Sequence, residues 1–192
     1  MNDRYIDELP DIYKVSYSRY MEGHFRVDDY SSHQPLLIHT VNTITGGDVL
    51  ELGMGDNSTP LLHLLCGKLN RKLFSYETDM EWYNKYKHYE SNDHKILPYD
   101  LNKFKNNDHR YAIAFIDLDT LDTRQRAIYA LKDSVDYFII HDVLEFKYGQ
   151  FILYNNYDLS YFKNILHFIK VSRTSVLCSN KEIPEELKMI FY

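Results

Sequence analysis

From Asp48 to Asp142, short apolar runs alternate with segments whose apolar positions recur every three or four residues. Runs of the first kind suit buried strands and segments of the second suit helices lying on a sheet, so the pattern predicts an α/β chain. The spacing predicts a strand over 48–53, a helix over 59–69 with Leu61, Leu62, Leu64 and Leu65 as its apolar stripe, a strand over 72–77 and a helix over 80–89. A short strand over 95–99, a polar loop over 102–109, a nearly continuous apolar strand over 111–117, a helix over 123–133 and a strand over 137–141 complete the core. Thr59 and Pro60 suit the N-cap and first turn of the 59–69 helix.

The flanks read differently. Residues 13–30 are rich in tyrosine and serve either as a lid or as plain packing, and a helix over 34–44 precedes the first strand. Near the other end, 168–171 and 174–178 are separated by Ser172 and Arg173, short enough for an antiparallel hairpin at the sheet edge. The expected fold is Rossmann-like: a doubly wound, mostly parallel sheet with helices on both faces and a C-terminal antiparallel edge hairpin. The expected organisation is one domain over 1–192, with 1–45 as a helical or lid segment and 46–180 as the core. A chain of 192 residues buries roughly two thirds of its unfolded surface, enough for a complete core.

The predicted strands finish beside Glu51, Glu77, Asp100, Asp117 and Asp142. Ligands of open α/β sheets bind at the carboxyl edge, so these acids are expected on one rim. The first strand runs into Gly53-Met54-Gly55, the shape of a nucleotide-cofactor loop. A dinucleotide fingerprint places a third glycine where this chain has Ser58, and the Tyr-x-x-x-Lys pair, Tyr83 with Lys87, falls too early for a dehydrogenase. S-adenosylmethionine carries no pyrophosphate, and its loop needs close backbone approach and carboxylates. Glu51 is expected near its amino-acid end, Gly53 and Gly55 at the close approach, Glu77 on both ribose hydroxyls and Asp100 near the adenine, with Ser58, Thr59 and Asp117 completing the cofactor set. The bland alternative is a tight strand-to-helix connection.

The run Val49 to Gly55, Glu77, and the segments Phe115-Ile116-Asp117 and Ile139-Ile140-His141-Asp142 resemble class I S-adenosylmethionine-dependent methyltransferases. Ser31 to Leu36, Ser58 to His63 and Phe74 to Asp79 resemble a small, little-characterised branch of that superfamily, over most of residues 31–180. In that branch the fourth strand commonly continues from Asp into His-Ala-Pro and a pair of arginines, whereas here Leu118-Asp119-Thr120 follows Asp117, with Arg124 and Arg126 further on.

Methyl transfer to oxygen requires an aligned acceptor whose proton is removed or weakened. His141 is a candidate general base. Alternatively Asp117 and Asp142, with Asp119 as a third ligand, form a hard oxygen set for a divalent cation such as magnesium or manganese that lowers the hydroxyl pKa. The latter arrangement is similar to metal-dependent O-methyltransferases of the catechol and macrolide-sugar types. The bland readings are helix caps for the two aspartates and a satisfied core histidine. Arg124 and Arg126 are candidates for an anionic acceptor, though helix arginines are more often solvated; His33 and Tyr30 stand near the entrance.

Charge and composition narrow the partners. A net charge of −6 offers no overall positive field for a phosphate backbone, so nucleic acid is not expected. Residues 1–8 lack the basic and apolar regions of a signal peptide and no apolar run has spanning length, which predicts no membrane and a cytoplasmic location, the host cytoplasm for a viral source. Cys66 and Cys178 have no paired spacing and read as buried thiols, and the 18 tyrosines fit the codon bias of an AT-rich genome. The combined expectation is an S-adenosylmethionine-dependent O-methyltransferase acting on a sugar, glycan or other small-molecule hydroxyl, with a divalent cation as a second cofactor. A non-catalytic binding module and an N-methyltransferase are the alternatives, and an oligomer stays open.

Overall fold

Period-two alternation sends Val49, Ile113 and Ile139 to one face of a sheet and Leu50, Ala114 and Phe138 to the other, all of them buried. The computed structural model describes residues 30–102, 108–147, 150–168 and 173–191, together with Pro10, Asp11, Tyr13 and Lys14. Five parallel strands make the centre: β1 (Asp48–Leu52), β2 (Leu73–Glu77), β3 (His94–Pro98), β4 (Tyr111–Ile116) and β5 (Val135–Ile140). A separate antiparallel pair, β6 (Leu144–Lys147) with β7 (Gln150–Leu153), follows. Then β8 (Asn164–Phe168) and β9 (Ser175–Ser179) join the main sheet, β9 antiparallel to both β5 and β8. The seven-stranded order is β3-β2-β1-β4-β5-β9-β8, so the winding direction reverses between β1 and β4, the position where open sheets bind ligands.

Helices α1 (Gln34–Thr43) and α2 (Thr59–Lys68) cover the Val49 face through Leu36, Leu37, Val41, Leu61, Leu62 and Leu65. The short α3 (Met80–Tyr86) continues into a 3-10 turn, Lys87–Tyr89. Helix α4 (Leu121–Leu131) covers the opposite face with Ala127, Ile128 and Leu131. A last turn, α5 (Glu185–Lys188), docks on α1 through the Glu186 carbonyl, 2.8 Å from His39 Nε2. No helix of the described residues is long and apolar enough to cross a membrane.

The doubly wound sheet with helices on both faces is therefore present, and the differences from the sequence reading are local. The N-cap of α2 is Ser58, one residue before the expected Thr59, and both hydroxyls donate to the buried Glu51 carboxylate. The hairpin forms, with Asn164–Phe168 as its described first strand and Phe168 paired with Ser175; of the first strand expected over 168–171, residues 169–171 lie outside the described residues. Its second strand pairs on both sides and only β8 is the edge. The β6/β7 pair was not foreseen, because its two four-residue strands write no long apolar run. The lid expected over 13–30 lies outside the described residues except for Tyr13, Lys14 and Tyr30.

Candidate active site

The loop after β1 is shaped by its neighbours. Gly53 has φ +94°, and a Cβ there would stand 2.2 Å from the Asp117 carbonyl oxygen, so β4 rather than a ligand demands glycine at this position. The Gly53 N–H donates to the Tyr76 carbonyl at 2.9 Å and the Asp117 N–H to the Leu52 carbonyl at 2.7 Å, tying the ends of β1, β2 and β4 together. At Gly55 a Cβ would meet only Ser58 Oγ, at 3.7 Å, which leaves the turn open above that residue.

Glu51 shares a strand face with Val49, and alternation turns it toward α2 rather than along the rim. It is fully buried. Its Oε1 accepts from Ser58 Oγ at 2.7 Å and Thr59 Oγ1 at 2.9 Å, and its Oε2 from Ser75 Oγ at 2.5 Å. Thr59 Oγ1 in turn accepts from the Gly55 N–H at 3.0 Å, so this carboxylate holds the start of α2 and the loop in register. Ser75 is the β2 partner of Glu51 in the sheet, and its Oγ lies 2.9 Å from His94 Nε2, whose Nδ1 lies 2.9 Å from His63 Nδ1. Burial pushes the Glu51 carboxyl up to about 7, against the three hydroxyl donors that favour its charged form. Burial, with His63 adding to it, pushes His94 down to about 3.

Glu77 ends β2 at the mouth of the same loop. Its Oε2 accepts from the Met54 N–H at 2.6 Å, while Oε1 accepts from the N–H groups of Thr78 at 2.7 Å and Asp79 at 2.9 Å and from Thr78 Oγ1 at 3.1 Å. Asp56 pairs with Lys85 Nζ at 2.7 Å and with the Tyr86 hydroxyl, so the cation beside the loop is already engaged by a carboxylate. Asp100 follows β3 and accepts from the Asn102 N–H at 3.0 Å.

A second cluster sits past β4 and β5. Arg124 of α4 reaches under the rim: its Nη2 lies 2.8 Å from Asp117 Oδ1, its Nη1 lies 3.4 Å from Asp142 Oδ2, and it also donates to the Leu118 carbonyl. Arg173 Nη1 lies 3.6 Å from Asp142 Oδ1. His141 Nδ1 is 3.4 Å from both Asp117 Oδ2 and Asp142 Oδ1, and its Nε2 is 3.0 Å from Ser32 Oγ. Burial opposes the imidazolium, but Asp117 and then Asp142 outweigh it and hold His141 above the ordinary histidine value. Burial likewise opposes the Asp117 carboxylate, and His141 and Arg124 outweigh it and hold Asp117 below the usual range.

The segment before α1 closes over this cluster. His33 is 2% exposed, its ring packs 4.8 Å from Phe115 and edge-on 4.7 Å from His141, and neither ring nitrogen meets a hydrogen-bond partner. Burial, then His141, pushes it down to about 3. Gln34 Nε2 donates to the Asn57 carbonyl at 3.0 Å, joining α1 to the loop after β1.

The rim thus gathers Gly53, Gly55, Glu77, Asp117, His141 and Asp142 as read from the sequence, and redistributes their contacts. Glu51, Ser58 and Thr59 bond to one another beneath the loop. Of the expected oxygen trio Asp117, Asp142 and Asp119, Asp119 is exposed and accepts from Thr78 Oγ1 at 3.1 Å, and Asp142 lies between two arginines. Among the described residues, one ligand atom each from His33, Asp117 and His141 lie within 4.8 Å of one another. Arg124 is buried and clamps carboxylates rather than facing solvent; Arg126 pairs with Asp122 on the surface at 2.9 Å, and Tyr30 is exposed. Ser32, Ser75, His94 and His63 were missed. Register gives a usable signal for Ser75, which stands beside Glu51, whereas Ser32 and His141 are separated by 109 positions.

No family model and no curated protein matches the sequence. The backbone is similar to human methyltransferase-like protein 13 in complex with SAH, at 13% identity over 83% of this chain and 88% of that one, with a TM-score of 0.59. It is also similar to Burkholderia thailandensis 1,6-didemethyltoxoflavin-N1-methyltransferase with bound 1,6-didemethyltoxoflavin and S-adenosylhomocysteine, at 12% identity over 90% and 88%, with a TM-score of 0.51. The fold is that of class I methyltransferases. The loop after β1 and the end of β2 meet at the switch point through the Met54 N–H to Glu77 Oε2 bond, with Gly55 and Asp56 in the same loop.

Proposed function

We propose that the protein is an S-adenosylmethionine-dependent methyltransferase whose acceptor is a hydroxyl of a sugar, glycan or other small molecule. The observation that carries the reading is Glu77, a carboxylate fixed at the switch-point loop by the Met54 N–H on Oε2. A carboxylate oxygen has two acceptor sites, so Oε2 retains one for a ribose hydroxyl. The charges around the loop support a cofactor without phosphate, because Asp56 and Glu77 flank it and Lys85 is bound to Asp56. When bound, that cofactor supplies a methyl group on a sulfonium centre, which leaves without needing a metal or an acid.

The chain's own residues then have distinct tasks. The open face of Gly55 admits the cofactor's close approach, Glu77 orients the ribose, and Asp100 stands beyond β3 on the adenine side. On the acceptor side Asp117 is the member of the rim cluster with most solvent contact, its side chain 26% exposed against 4% for His141. Its carboxylate, kept ionised by His141 and Arg124, accepts a hydrogen bond from the acceptor hydroxyl and sets its direction. The −6 charge supports a small uncharged acceptor over nucleic acid.

Calorimetric titration with S-adenosylmethionine and S-adenosylhomocysteine tests the cofactor. Binding by the wild type that falls at least about tenfold in Glu77→Ala supports the reading, and no binding of either compound by the wild type ends it. Release of S-adenosylhomocysteine is then measured against panels of sugars, phenols, amines and oligonucleotides. Turnover on amines alone makes the protein an N-methyltransferase, and binding without turnover on any class makes it a binding module.

A further inference from the structure

The rim holds a buried histidine with no partner. His33 is 2% exposed and both of its ring nitrogens lack a hydrogen bond, which leaves a buried polar group unsatisfied unless something fills the gap. His141 Nδ1 has the same defect: it faces two carboxylate oxygens, each at 3.4 Å, without a bond of acceptable geometry to either. His33, His141 and Asp117 come together here, one ligand atom from each residue lying within 4.8 Å of the others.

We propose that His33, Asp117 and His141 bind a transition-metal dication of the zinc class. Two imidazole nitrogens and one carboxylate oxygen are the donor set of a zinc site with an open fourth position, and imidazole donors select against magnesium and calcium. In a tetrahedral site with bonds near 2.0–2.2 Å the ligand atoms stand roughly 3.4 Å apart. The His141 Nδ1 to Asp117 Oδ2 spacing is already 3.4 Å. The His33 ligand atom lies within 4.8 Å of the other two, so its ring moves toward them to complete the site.

The surrounding contacts are those that orient metal ligands. His141 directs Nε2 to Ser32 Oγ at 3.0 Å; donation of that N–H, with release of the Nδ1 proton to solvent as the metal binds, turns the Nδ1 lone pair to the site. Asp117 gives Oδ1 to Arg124 at 2.8 Å and keeps Oδ2 for the cluster. Asp142, held by Arg124 and Arg173, stays outside as a compensating charge. Asp117 is the solvent-facing ligand, so the fourth position opens on the acceptor side of the rim. Metal binding itself needs no cofactor and stands apart from the methyltransferase reading; its use, lowering the pKa of an acceptor hydroxyl, rests on that reading.

The test uses the full chain stripped with chelator and titrated with Zn²⁺, Co²⁺ and Mg²⁺ in the absence of S-adenosylmethionine. One equivalent of Zn²⁺ or Co²⁺ should bind, the Co²⁺ form should show the visible absorption of a low-coordinate site, and Mg²⁺ should not compete. His33→Ala should lose at least about a hundredfold in Zn²⁺ affinity, and Asp119→Asn should lose none. Spin-echo spectroscopy of the wild-type Cu²⁺ form counts coordinated imidazoles and should find two, a readout that does not depend on any variant folding. No stoichiometric Zn²⁺ or Co²⁺ binding overturns the proposal, as does a Mg²⁺ site retained in His33→Ala or a spin-echo count other than two. None of these outcomes bears on S-adenosylmethionine binding, which is read by its own titration.

Discussion

Replacing Glu51 with Gln tests the buried carboxylate beneath the loop. Glu51 is fully enclosed by Ser58, Thr59 and Ser75, and burial raises its carboxyl from 4.5 to about 7. At about 1.4 kcal/mol per pH unit, this gap makes ionisation of Glu51 in the folded chain unfavourable by roughly 3 kcal/mol. The sign follows from the direction of the shift. A carboxyl with a raised folded pKa adds stability that is fully present below about 4.5 and is lost as pH rises to about 7, above which no more is lost. Glutamine does not titrate. Urea denaturation of both proteins between pH 5 and pH 8 should therefore show wild type losing about 2–3 kcal/mol relative to Glu51→Gln across that range. A difference between the two curves that stays flat within about 0.5 kcal/mol would show that Glu51 ionises as an ordinary carboxylate, refuting the argument from burial.

Gly53→Ala forces a Cβ to 2.2 Å from the Asp117 carbonyl oxygen at a φ of +94°, so it should cost about 3 kcal/mol or more by urea denaturation and lower the soluble yield. Arg124→Met removes the guanidinium between Asp117 and Asp142; it should destabilise the fold by about 3–5 kcal/mol at pH 7 and by less at pH 3, where carboxylates protonate. Arg124→Lys should not restore it, because a single ammonium cannot span both carboxylates and the Leu118 carbonyl together. Burial raises the thiols of Cys66, to about 12, and of Cys178. Both should be silent toward a thiol reagent in the native protein at pH 8 and react fully in urea; rapid native labelling would contradict their burial.

Much of the architecture was legible because the central strands are buried on both faces. A parallel sheet writes its strands as continuous apolar runs such as Tyr111–Ile116, and its crossover helices as recurring leucines such as those of α2. The elements outside that core carry weaker marks. In β8 intermediate and exposed residues alternate before the buried Phe168, and β6/β7 form a separate two-stranded sheet, so neither writes a long apolar signal. The candidate site residues at strand ends were legible as rim positions for the same reason: Glu77, Asp117 and His141 each stand next to a recognisable run.

Their partners were not legible. Alternation within β1 turned Glu51 inward, which its sequence neighbours alone do not reveal without knowing that α2 covers that face. Arg124 looked like a surface residue of an amphipathic helix until α4 was laid against the ends of β4 and β5, where only a long guanidinium reaches both aspartates. His33 met His141 because the chain before α1 folds across the rim. Sequence by itself determined which segments are strands and helices and which acids end them, since hydrophobic periodicity is a local property of the chain. Tertiary structure decided which of those charged groups pair, which are buried, and that His33 and His141 come beside Asp117, since distances between remote residues depend on how the layers pack.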